Sequence, residues 1–203
     1  GGHKYFDDIE AREDGGTPGF LQAIRAALSV RLKEKMGVQN ILEREHELMD
    51  ILMPGLSEID NLHILAGHIR KRLGVISFYI EGLHFNLAVR LLNDKYGIQT
   101  RGGCSCAGTY GHYLLEIDPN RSKSITNEID HGHLSSKPGW VRMSIHPTMT
   151  NEEAHLLVRA CQEVAANWKE WSADYDYDAH SNEYDHKQAK AYEEDLVASK
   201  FQF

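Results

Sequence analysis

The chain has 203 residues, 41% of them hydrophobic and 26% charged, enough for one full domain and about half of another at roughly 150 residues per domain. Its 22 basic and 30 acidic residues leave a net charge of −8, which excludes nucleic-acid binding by bulk electrostatics. No run approaches the ~18 apolar residues of a membrane span.

The first residues are Gly1-Gly2-His3, with no initiator Met and nothing like a signal peptide. This reads as part of a longer protein or a processed start. Residues 1–16 are polar, acidic and end in Gly15-Gly16, a loop composition. Thr17-Pro18 then opens a helix, with Thr17 as N-cap and Pro18 at the first helical position. Phe20, Ile24, Leu28, Leu32 and Met36 follow at four-residue steps, a helical stripe that Gly37 stops. Asn40 with Glu43 suggests a capping box for a second helix, which carries Leu48, Met49 and Leu52 and ends or kinks at Pro54-Gly55.

Leu62 to Leu65 and Val75 to Ile80 read as strands, the second β-branched and aromatic. His68 to Arg72, between them, is basic and reads as a solvated turn. Phe85 to Leu92 is helical and closes at Tyr96-Gly97. Ile98-Gln99-Thr100 is briefly extended and runs into Arg101-Gly102-Gly103-Cys104-Ser105-Cys106. Residues 107–117 suggest a short helix, and residues 119–139 a polar loop. Trp140 to Ile145 alternates as a half-buried strand does. Thr150 with Glu153 forms a capping box before a helix carrying Leu157, Ala160, Cys161, Val164 and Trp168. Beyond Trp171 the chain is acidic and hydrophilic, an extension packed on a surface or a disordered tail. Helices around a small sheet with long connections give an α+β class.

Three segments carry chemistry. The first is Arg101 to Gly108: a cysteine in a glycine-rich loop beside a cation can be a nucleophile, and the bland reading is a packed loop with inert thiols. Zinc on Cys104, Cys106 and His112 lacks an evident fourth ligand. The spacing of Cys104 and Cys106 also allows a persulfide relay or a reversible disulfide. The second is Arg142 near a strand end, whose planar fork suits a carboxylate or an ordinary salt bridge. The third is Gly15-Gly16-Thr17-Pro18 at a helix start, which suits an anion or is simply a cap. The 12 histidines are scattered, with no zinc-binding spacing. Three cysteines give no disulfide framework and point to a reducing compartment.

Taken in order, the Gly-Thr-Pro helix start, the Arg-x-x-x-x-Cys loop and the Arg-x-Ser strand with its following Thr-Asn-Glu-Glu resemble the C-terminal half of class V aminotransferase-fold enzymes. The resemblance runs from about residue 5 to residue 171 and is nearest to cysteine desulfurases and selenocysteine lyases. It implies the small C-terminal domain of fold-type I pyridoxal 5′-phosphate (PLP) enzymes, helices packed on a mostly antiparallel sheet. By resemblance, Cys106 matches the sulfur-accepting nucleophile, and Arg101, five residues earlier, an active-site arginine. Arg142 matches the arginine that binds the amino-acid carboxylate, and Thr17 the threonine that reaches the cofactor phosphate of the neighbouring subunit. The chain departs from the pattern in having Cys104 and Ser105 where histidines usually precede the cysteine, and no proline after it.

The resemblance also implies PLP as cofactor of the full-length enzyme, an amino-acid substrate, a homodimer, a sulfur-acceptor protein and a cytoplasmic location, with no nucleic acid or membrane. The family's lysine, aspartate and ring-stacking residue lie upstream of Gly-Thr-Pro. Lys4, thirteen positions before Thr17, is too close to serve as that lysine. The isolated chain is therefore expected to hold no PLP and to be inactive. The expected layout is a loop and linking helix over 1–37, a small domain over 38–172 and an acidic extension over 173–203. The rival readings are an aminotransferase of the same fold that does not use the thiol, and a free-standing domain for binding or dimerisation.

Overall fold

The computed structural model describes residues 2–104, 108–188 and 198–200. By its internal contacts the chain divides into two units, Gly1–Glu43 and Arg44–Phe203.

In the first unit, α1 (Ile9–Glu13) forms inside the expected opening loop, capped by the Asp8 side chain. The long helix α2 spans Phe20–Met36. Its N-cap is Gly19, with no side-chain cap bond, so Thr17 and Pro18 precede the helix instead of opening it. Gly37, at φ 84°, ends α2 as its freedom in that region allows. The next helix, α3, starts at once and runs Val38–Ser57. The expected capping box at Asn40 does not form, because the Asn40 amide donates to the Met36 carbonyl.

In the second unit, Pro54 lies inside α3 without ending it. The strands are β1 (Leu62–Ile64), β2 (Val75–Ile80), β3 (Arg101–Gly103) and β4 (Trp140–Ser144). They form one antiparallel sheet in the order β1-β2-β4-β3. The helices are α4 (Phe85–Tyr96), α5 (Gly108–Leu114), α6 (Pro119–Asp130) and α7 (Asn151–Trp171). The mixed helical and antiparallel architecture is the expected α+β class. One correction falls at residues 119–139, read as a polar loop. Their first twelve residues are α6, capped by the Asp118 carboxylate with Pro119 in the first turn. Only Ile125 of α6 is buried, so little apolar periodicity marked it.

The pleat of β2 and β4 sets the two faces of the sheet. Ile76, Phe78, Ile80, Val141 and Met143 point into one core with α3, α4 and α7. Leu48, Leu52, Leu91 and Val164 are fully buried there. Thr150 and Glu153 cap α7 reciprocally, as the sequence predicts. After α7 and one 3₁₀ turn, the acidic segment pairs as a hairpin, β5 (Tyr175–Asp178) with β6 (Glu183–His186).

Candidate active site

The face of the sheet opposite α3, α4 and α7 carries polar residues from β1 to β4. Arg142 is the register partner of Ser77 on one side and of Arg101 on the other. Directly opposed residues of an antiparallel pair project to the same face, so Ser77, Arg142 and Arg101 form one row across β2, β4 and β3. Arg101 is exposed and Arg142 half-buried. The Nε of Arg142 is buried with no hydrogen-bond partner among the described residues. Among the described residues, neither arginine has an ion-pair partner. Farther along the same face His63 stacks on Tyr79 at 4.9 Å, and its Nε2 meets the Glu81 carboxylate at 2.6 Å.

Gly102 serves close packing. A Cβ on Gly102 would lie 2.6 Å from Asn86 Oδ1 and 3.0 Å from the Phe85 ring. The first turn of α4 therefore lies flat against β3. A Cβ on Gly139 would lie 2.5 Å from the other edge of the same ring. Phe85 is thus clasped between two glycine-bearing segments, and the strand that carries Arg101 is fixed to α4.

Cys104 follows β3 directly and is partly exposed. It lines a cavity of about 590 Å³ under α5 and α6, together with His112, Ser122 and Lys137. His112 Nδ1 and the Ser122 hydroxyl are 2.7 Å apart at its wall. Trp140, buried beneath Gly111 of α5, closes this end of the sheet face. Cys106, with Ser105 and Ala107, lies outside the described residues. Cys161 is buried in the core, and burial pushes its thiol up to about 12. Among the described residues no cluster of His, Cys, Asp and Glu is arranged to hold a metal ion. Thr17 belongs to the first unit, where it is exposed ahead of α2.

Sequence reasoning passed over a polar stripe on α4. Asn86, Arg90 and Asp94 recur at four-residue steps, and each bonds to the C-terminal hairpin. Asn86 Nδ2 donates to the Asn182 carbonyl, Arg90 pairs with Asp185 at 3.0 Å, and the Tyr175 hydroxyl donates to Asp94 at 2.8 Å. The spacing was a readable signal; the partners, some ninety residues away, were not.

The arginine row suits an anionic group of planar geometry. It can bind the carboxylate of an amino acid through paired, charge-assisted hydrogen bonds. Among the described residues the row holds no amine that could condense with an aldehyde, so it suits a carboxylate and carries no covalent anchor for a cofactor such as PLP.

The family model "Aminotransferase class-V" matches residues 3–157. A probable cysteine desulfurase of Halalkalibacterium halodurans is 33% identical over 94 residues, which are 46% of this chain and 22% of that protein. Probable cysteine desulfurase 2 of Mycobacterium leprae is 27% identical over 121 residues, 59% of this chain and 29% of that one. Among solved structures, the apo cysteine desulfurase of Thermococcus onnurineus matches with a TM-score of 0.56 and 25% identity, over 82% of this chain and 36% of that one. The chain thus spans less than a third of the length of these two curated relatives.

Proposed function

The chain belongs to the class V aminotransferase family, and from that premise we propose that it is the C-terminal part of a PLP-dependent enzyme that releases sulfur from cysteine, or selenium from selenocysteine. The observation that carries this reading is the opposed pair Arg101 and Arg142, with a buried guanidinium nitrogen that has no partner among the described residues. An unpaired buried donor is costly, and a bound carboxylate would satisfy it.

In this reading Arg142 and Arg101 bind and orient the substrate carboxylate on the polar face of the sheet. PLP, when bound to the whole protein, supplies an electron sink that lets the bond between the amino-acid β-carbon and sulfur break. The thiolate of Cys106 attacks the substrate sulfur, so an S–S bond forms as that C–S bond breaks. The electron pair stays with carbon, which takes up a proton and leaves as alanine. The sulfur remains on Cys106 as a persulfide for an acceptor protein. Thr17 reaches the cofactor phosphate of a neighbouring subunit in a homodimer. The scarcity of cysteines supports a reducing, cytoplasmic setting. Among the described residues no helix is long and apolar enough to cross a membrane.

The decisive experiment uses the full-length protein with L-cysteine. Cys106→Ala should abolish sulfide release, while Cys104→Ala should load persulfide as the parent does. Amino-group transfer to a keto acid that survives Cys106→Ala would replace this reading with an aminotransferase. The 203-residue chain alone should form no borohydride-reducible adduct with PLP; a stoichiometric adduct would promote Lys4 to the cofactor lysine.

A further inference from the structure

Asn182 sits at the end of the hairpin turn with φ 61° and is 6% exposed. Its N–H donates to the Asp178 carbonyl at 2.8 Å, and its Oδ1 accepts from the Tyr177 hydroxyl at 2.8 Å. Both groups hold the turn in one geometry. The remaining main-chain acceptor, the Asn182 carbonyl, takes the Asn86 amide. That bond fixes which way the Asn86 amide faces. With Nδ2 committed to the hairpin, Oδ1 faces the backbone of Gly102, where it is the nearest atom to any added Cβ. Asn86 also donates its own N–H to His84 Nδ1, the cap of α4, and His84 contacts Tyr177 and Tyr184 of the hairpin. A chain of direct contacts therefore runs from the hairpin through Asn86 to the residue next to Arg101.

We infer that the C-terminal β5–β6 hairpin is a positioning element for the candidate substrate site: Asn182, through Asn86, sets the lie of β3 and so holds Arg101 opposite Arg142. The inference rests on the proposed role of those arginines in binding carboxylate. β3 is an edge strand of three residues, two of them glycine. Such a strand has little of its own to fix it, since glycine brings conformational freedom and no side chain to pack. Its support comes from β4 on one side and from α4 at its back. Asn86 is a positioning residue here; it acts through the strand and not on the substrate.

The test uses full-length protein and two variants. Asn86→Asp keeps the size of the side chain and suits the first turn of a helix, but cannot donate to the Asn182 carbonyl. Arg90→Gln loosens the hairpin one turn farther from β3. Hydrogen exchange of the peptide covering residues 99–104 should quicken about tenfold or more in Asn86→Asp, as expected when a local opening is eased. It should change little in Arg90→Gln. Peptides from β1 and β2 should exchange as in the parent in both. The Michaelis constant for L-cysteine should rise about tenfold in Asn86→Asp with kcat within about twofold, because misplacing a binding group weakens binding before chemistry. Unchanged exchange over 99–104 in Asn86→Asp overturns the inference. Equal quickening in Arg90→Gln overturns it as well, since the hairpin would then be a general clamp. Quickened exchange in Asn86→Asp alone, with an unchanged Michaelis constant, supports the positioning of β3 and overturns the carboxylate role of Arg101.

Discussion

Arg101 and Arg142 are register partners on neighbouring antiparallel strands, so two guanidinium groups leave the sheet side by side on its polar face. Like charges placed directly opposite destabilise a sheet by roughly 0.2–1 kcal/mol. The unpartnered Nε of Arg142 adds roughly 1–3 kcal/mol more if it stays unpaired. This is an arrangement that an anion relieves. Arg142→Met, which keeps an apolar stem and drops the charge, should raise the stability of the anion-free protein by about 1 kcal/mol, read as a higher urea midpoint at unchanged slope. Sulfate should raise the melting temperature of the parent above a chloride control of equal ionic strength, and this increment should be smaller in Arg142→Met, where only the general salt effect remains.

His84 gives a pH dependence with a definite sign. Its Nδ1 accepts the Asn86 N–H, and its ring packs on Phe85, Tyr177 and Tyr184. Burial pulls its pKa below the usual 6.5, against a smaller opposing contribution from Asn182. The folded state therefore holds His84 neutral where the unfolded chain begins to protonate. Its contribution to stability is present above pH 6.5 and is lost as pH falls through the depressed folded value. His84→Asn retains an N-cap acceptor but cannot titrate. Urea midpoints measured from pH 7.5 to 5 should fall less steeply in His84→Asn than in the parent.

Much of the second unit was legible because its signals are local. The β-branched and aromatic run of Val75 to Ile80 gave β2, the alternation of Trp140 to Ile145 gave β4, and Thr150 with Glu153 gave the start of α7. The two arginines could be named from the sequence, but their opposition is a matter of strand register and only the fold supplies it. Helix α6 escaped because it is polar almost throughout and buries only Ile125. The hairpin escaped because Tyr-Asp-Tyr-Asp reads as acidic composition, while Tyr175 is anchored by Asp94 across a long sequence distance and Tyr177 by Asn182 within the turn. Thr17 misled in the opposite way: a good capping residue before a proline, it precedes a helix that begins only after Gly19.

Cys161 lies on the core side of α7, 1% exposed, and burial raises its thiol to about 12. The thiolate is the reactive form, so at neutral pH this cysteine should resist iodoacetamide in the native state. Labelling followed by peptide mapping should leave Cys161 unmodified until denaturant unfolds the protein, while the partly exposed Cys104 reacts under native conditions. Cys161→Ala should leave sulfide release by the full-length protein unchanged, at a stability cost of about 1 kcal/mol for the lost sulfur contacts.

The clasp around Phe85 makes a prediction about glycines that carry no ligand. A Cβ on Gly139 would stand 2.5 Å from Phe85 Cε1 and 3.0 Å from the Gly103 Cα, a rigid ring and a main-chain atom, neither able to swing aside. Overpacking of this kind costs roughly 1–3 kcal/mol. Gly108, at the start of α5, has nothing among the described residues within 4 Å of the same position, so Gly108→Ala should stay within about 0.5 kcal/mol of the parent. The loss in Gly139→Ala should be partly recovered by Phe85→Leu, since a smaller side chain vacates the space the new methyl needs. A double-mutant cycle on urea midpoints should therefore give a coupling of about 1 kcal/mol between the two positions. Strictly additive losses would mean that the strain of Gly139→Ala falls on the Gly103 backbone, and exchange over residues 99–104 would then quicken in the single variant.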